Sequence, residues 1–169
     1  PASVLIDDLG PYNIRYWRLF HWENDEYREY GDMQGVLSPG AAMWLVTYNG
    51  MTFYIDSARS IDTRAGNTIV LQPGWNQIAG PFAFSVAWAD VIALNKTDPS
   101  VISEPYFYDG AEYVPGRQAV QPWDGYFVYN DSFQPVSLSV PAVEAPPGLR
   151  KASSDGPLTP NHGYFVQII

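Results

Sequence analysis

Three segments of this chain recur in the same order farther along it, and a duplicated unit has to fold, and bury its apolar face, twice. The run SVLIDDL at residues 3–9 is echoed by SVAWADV at 85–91. FHWENDEY at 20–27 aligns without a gap on YFYDGAEY at 106–113, and LSPGAAMWL at 37–45 aligns on VQPWDGYFV at 120–128. The displacements are 82, 86 and 83 residues, and a Tyr-Asn pair trails the last match in both places, at Tyr48-Asn49 and Tyr129-Asn130. Order and spacing together predict two copies of one motif of roughly 80 to 90 residues. On that reading the first copy occupies residues 1–73, the second 74–144, a linker 145–163 and a last strand 164–169.

The residues of the motif predict an all-β fold, a sandwich or meander with short helical turns. Aromatic side chains make up 15 % of the chain and charged ones only 16 %, a balance suited to packed aromatic strands, and 15 prolines with 14 glycines punctuate many short elements. Asp109-Gly110 suits a two-residue hairpin turn between Tyr108 and Tyr113, whereas Glu23-Asn24-Asp25 reads as a looser turn in the first copy. Pro39 and Pro122 cannot donate to a ladder and so mark strand entrances or edges. Ser3 and Ser85 stand where helix N-caps belong, ahead of short helices or turns at 3–9 and 85–94. Further strands are expected at 51–56, 68–72, 75–78, 136–140 and 164–169. The Pro- and Gly-rich stretch after residue 144 reads as a tether.

Charge and composition narrow the functions. Eighteen acidic against nine basic side chains leave a formal charge of −9, which repels a phosphate backbone and an anionic membrane. No cysteine is present, so disulfides, thiolate metal sites and Cys nucleophiles are excluded together. No apolar run reaches the length of a membrane-spanning helix, and the first residues lack the basic start of a signal peptide, so if the protein is secreted its signal lies upstream of Pro1.

The runs GWNQIAGPFAFSVAWADV, PYFYDGAEY and VQPWDGYFVY resemble repeat modules of large secreted proteins of Gram-negative bacteria. In those modules a Gly-Trp-Asn strand leads to Gly-x-Pro-Phe, a Trp-containing turn and a Pro-x-x-Gly-aromatic strand. The resemblance covers most of residues 37–140. It implies an extracellular or cell-surface location, a place beside other domains of a parent protein, and no catalytic residues of the module's own. The opening GWN strand of the second copy, at Gly74, has its first-copy counterpart before Pro1, so the first copy lacks that strand.

Chemistry-bearing residues are sparse. His21 and His162 are the only histidines and there is no Gly-x-Ser-x-Gly elbow, so no Ser-His-acid nucleophile is expected and His21 reads as a surface or core-rim residue. Neither a metal site nor a cofactor is expected. Asp7-Asp8 and the acidic run 23–26 offer oxygen ligands but lack the alternating spacing of a calcium loop, and they read as solvated turn charges. Glu26 and Glu112 stand at equivalent places in the two copies, which duplication of a hairpin explains better than a glycosidase carboxylate pair does.

Binding is the stronger expectation, because six tryptophans and twelve tyrosines can stack on sugar rings. Trp22, beside the acidic turn, and Trp123 with Asp124, in the Pro-x-x-Gly turn, are the ligand candidates together with Tyr108. Trp75 and Phe82 read as core. Tyr164, Phe165, Val166, Gln167 and Ile168 form an apolar strand on a tether, suited to strand addition onto a sheet edge left open by the missing first-copy strand. The function expected is a non-catalytic structural or adhesive module whose partners are domains of its parent or neighbouring copies. A polysaccharide-binding module is the alternative.

Overall fold

The structure, a computed structural model, describes residues 2–33, 38–50, 61–98 and 100–149. The expected strands at 51–56 and 164–169, with the strand-addition residues, lie outside them, as do His162 and all of the linker beyond residue 149. The described residues form an all-β fold of short, mostly antiparallel strands, accompanied by two eight-residue helices and a 3-10 turn at Pro147–Leu149.

Helix α1 (Ala2–Leu9) leads into a three-stranded sheet, in which β1 (Trp17–Glu23) lies between β2 (Glu26–Glu29) and β3 (Trp44–Thr47). Trp17, Leu19 and Leu45 point to one face and are buried with Leu5 of α1 and Met43. The β1–β2 turn corrects an expectation. Glu23 pairs with Glu26, so only Asn24 and Asp25 turn the chain, with φ of 53° and 60°. Asn and Asp tolerate the left-handed region better than other L-residues, so this turn is the tight one.

The second sheet has the order β5 (Gly74–Ala79), β10 (Gly125–Asn130), β7 (Tyr106–Tyr108), β8 (Tyr113–Val114). Here the expected Asp109-Gly110 two-residue turn is replaced by a four-residue loop, 109–112. The Asp109 amide donates to the Glu112 carbonyl at 3.1 Å, and the Asp109 carboxylate accepts from the amides of Ala111 and Glu112. Gly110, at φ 106°, takes the position no other residue would tolerate.

The two sheets share their register at the aligned positions. Trp22 faces Tyr27 as Tyr108 faces Tyr113, and Phe20 faces Trp44 as Tyr106 faces Phe127. Positive φ angles coincide as well, at Asn24 with Gly110 and at Gly40 with Trp123. Buried side chains match in turn, Met43 with Tyr126 and Leu45 with Val128. The order β8-β7-β10 thus matches β2-β1-β3, and β5 has no counterpart in the first sheet among the described residues.

Behind the four-stranded sheet lies the larger core. Tyr126, Val128 and Ile78 of its inner face pack on Phe82, Val86, Val91 and Ile102, and on Leu71 and Leu138. The last two belong to β4 (Asn67–Leu71) and β11 (Val136–Val140), a separate antiparallel pair. Residues 67–71 therefore pack in the core behind the four-stranded sheet. Phe82 is core as expected. Helix α2 (Trp88–Asn95) follows the short strand β6 (Val86–Ala87), which pairs with β9 (Ala119–Val120).

Ser85 does not cap its helix. Ala87 is the N-cap of α2, without a side-chain bond, and Ser85 is turned instead onto Gln121. At the other end of α2 the Asn95 amide donates to the Ser139 carbonyl and accepts from its N–H, at 2.7 and 2.8 Å, closing the edge of β11 as another strand would.

Candidate binding clefts at the sheet junction

A strand presents alternate residues to opposite faces. The residues that alternate with the buried core of the four-stranded sheet are Trp75, Gln77, Phe127, Tyr129, Tyr106 and Tyr108, and those that alternate with the core of the three-stranded sheet are Phe20, Trp22 and Trp44. The sheets meet through these aromatic faces. Trp22 meets Phe127 at 5.7 Å between centroids and 81° between planes, and Trp44 meets Tyr108 at 5.6 Å and 87°. In the sequence alignment Trp22 corresponds to Tyr108 and Trp44 to Phe127, so each contact is the reciprocal of the other. Tyr27 and Tyr113, which correspond to each other, share a hydroxyl hydrogen bond, and burial followed by that bond pushes the Tyr113 hydroxyl well above its usual range.

Polar bonds fix the junction. The Trp22 amide donates to Gln77 Oε1 at 3.0 Å and Trp22 Nε1 to the Trp75 carbonyl at 2.9 Å. Trp44 Nε1 donates to the Tyr27 hydroxyl at 3.2 Å, and the Ala79 amide to the Gly40 carbonyl at 2.8 Å, beside a bridge between Ala41 and Ile78. Two clefts open along this seam. One, of about 350 Å³, is lined by Trp22, Tyr27, Trp75, Tyr106, Tyr113 and Phe127. The other, about 830 Å³, is a groove between the β1–β2 turn and strands β4 and β5, and Trp22 and Trp75 border it too. Its polar side chains include Glu23, Asp25, Thr68 and Gln72.

The expected ligand residues are split between two places. Trp22 borders both clefts, and Tyr108 stands behind the aromatic one, against Tyr113 at 5.2 Å. Trp123 is 52 % exposed in its turn, and neither it nor Asp124 lines either cleft. Trp75 was expected in the core and is instead 39 % exposed, because β5 turns this residue to the aromatic face, where it packs edge-on against Tyr106, Tyr129 and Phe127. Its cross-strand partner, Tyr129, is the residue that gives this orientation away.

Two of the residues considered for catalysis, His21 and Glu26, have structural partners. His21 Nδ1 donates to the Ala42 carbonyl at 3.0 Å, and Glu26 forms an ion pair with Arg28. Among the described residues no group of three or more histidines and acids is placed to hold a metal ion. The most perturbed carboxylate among the described residues, Glu29, lies in the first sheet, away from both clefts. It accepts two bonds from Arg18, each 2.7 Å, and one from the Tyr12 hydroxyl at 2.5 Å, and Arg18 first and Tyr12 second hold it down at about 2. No family model, no curated protein and no solved structure matches this chain.

Proposed function

We propose that this chain is a non-catalytic adhesive β module of a larger extracellular or cell-surface protein, made of two copies of one repeat, and that it holds polysaccharide in the groove between the β1–β2 turn and strands β4 and β5. The observation that carries the reading is the composition of that groove: two tryptophans at its border, with carboxylate, amide and hydroxyl side chains along it. A sugar ring asks for this combination, an apolar face to stack on and bonding groups for the hydroxyls around it. Support for the duplication comes from the shared register of the two sheets and from the reciprocal contacts between them. The resemblance to secreted repeat modules supports the location, and neighbouring domains or copies are the expected partners.

Affinity electrophoresis through gels containing single polysaccharides tests the proposal. At least one polysaccharide is expected to retard the chain, Gln72→Ala and Trp22→Ala to weaken the retardation about tenfold or more, and no reducing ends to be released. Migration unaltered by any polysaccharide contradicts the binding, and sustained release of reducing ends contradicts the non-catalytic reading.

A further inference from the structure

The smaller cleft calls for a different ligand from the groove. Its ring planes stand nearly perpendicular to their neighbours: 81° between Trp22 and Phe127, 78° between Trp75 and Phe127, 88° between Tyr113 and Phe127, 88° between Trp75 and Tyr106, 74° between Trp22 and Tyr27. Such planes give a flat sugar no common platform, but they surround a compact guest on several sides. Among the described residues the lining of the cleft is six aromatic side chains, with no lysine, arginine or carboxylate. Their polar atoms are largely engaged, Trp22 Nε1 by the Trp75 carbonyl, and the Tyr27 hydroxyl by Trp44 and Tyr113. The same bonds hold the rings in place before a guest arrives.

A cation is attracted to aromatic rings through their quadrupole, and the formal charge of −9 favours approach of cations to the molecule as a whole. A bare ammonium or metal ion would give up its water for a lining poor in acceptors, at heavy desolvation cost. A trimethylated ammonium has apolar methyl groups in place of N–H donors, binds water more weakly and gives it up at lower cost. We propose that the cleft bounded by Trp22, Tyr27, Trp75, Tyr106, Tyr113 and Phe127 binds a methylated ammonium group by cation–π attraction. Because no lysine or arginine among the described residues lines the cleft to hold a phosphate, choline should bind at least as well as phosphocholine. The pocket occurs at this corner of the junction because β5 brings Trp75 to it; the reciprocal corner, around Phe20, Trp44 and Tyr108, has no equivalent of β5 among the described residues.

The test is a titration of the full chain with choline, trimethyl-lysine, phosphocholine and the neutral isostere of choline, 3,3-dimethylbutan-1-ol, followed by tryptophan fluorescence and by NMR of the ring protons. Saturable binding of choline or trimethyl-lysine, about tenfold or more tighter than the neutral isostere, is expected. The preferred ligand of the two separates a free or headgroup source from a peptide side chain. Trp75→Ala should abolish binding and Trp123→Ala leave it unchanged. Tyr113→Lys, which places a tethered ammonium at an exposed edge of the cleft, should abolish it with the fold intact by circular dichroism. Equal affinity for the isostere, no saturable binding of either cation, or binding undiminished in folded Trp75→Ala or Tyr113→Lys overturns the proposal. Trp22 and Trp75 border both clefts, but Gln72 lines the groove alone, so the titration is run without polysaccharide and Gln72→Ala should leave choline binding unchanged; the two proposals therefore fail separately.

Discussion

At the scale of single residues, the clearest electrostatic device is the Tyr12–Glu29–Arg18 cluster. Glu29 is held at about 2 against an ordinary value of 4.5, chiefly by Arg18. A carboxylate whose folded value is depressed contributes stability above its unfolded value and loses it as the pH falls toward the folded one. Both partners are substantially exposed, so solvent screens much of the effect. Glu29→Gln is therefore expected to lower the melting temperature by a few degrees at most at pH 7, with the difference shrinking between about pH 4.5 and 2; thermal melts across that range check it. Asn95 acts through geometry instead. Asn95→Ala leaves both backbone groups of Ser139 without their side-chain partner, and a loss of about 1–3 kcal/mol by urea unfolding is expected.

The elements show where sequence reasoning reached and where it stopped. Strands at 68–72, 75–78 and 136–140 were legible from their β-branched and aromatic residues between turn signals, and the hairpin at 20–27 from its fit to 106–113. Turn tightness was not, because Asp-Gly is the stronger local signal, yet the Asp109 carboxylate caps two amides and draws the loop out to four residues. The exposure of Trp75 was hidden for a different reason. Alternation defines two faces of β5 but not which of them the rest of the chain covers, and its neighbour across the junction, Trp22, is supplied from more than fifty residues away. The pairing of β4 with β11 is equally non-local. Gly40 joins these elements. Its φ of 90° and the 2.6 Å that would separate an added Cβ from Ile69 Cγ1 both oppose a side chain, while its carbonyl holds β5 through Ala79. Gly40→Ala is expected to cost about 2 kcal/mol or more in urea unfolding, and an unchanged midpoint would mean that the 38–41 turn does not anchor β5.

On the scale of the whole molecule, two small sheets each bury one face in a separate core and press their other, aromatic faces together. Neither hairpin alone would cover its aromatic face, so the junction is both the glue between the halves and the source of the clefts. If the halves are copies packed about an approximate two-fold axis, the contacts Trp22–Phe127 and Trp44–Tyr108 are the same contact made twice, and they should have similar energies. Double-mutant cycles across each pair, read by urea unfolding of the full chain, measure this directly. The predicted result is a favourable coupling of about 0.5–1.5 kcal/mol in both cycles, equal within about 0.5 kcal/mol. Coupling near zero in either cycle would contradict the reciprocal packing of two copies.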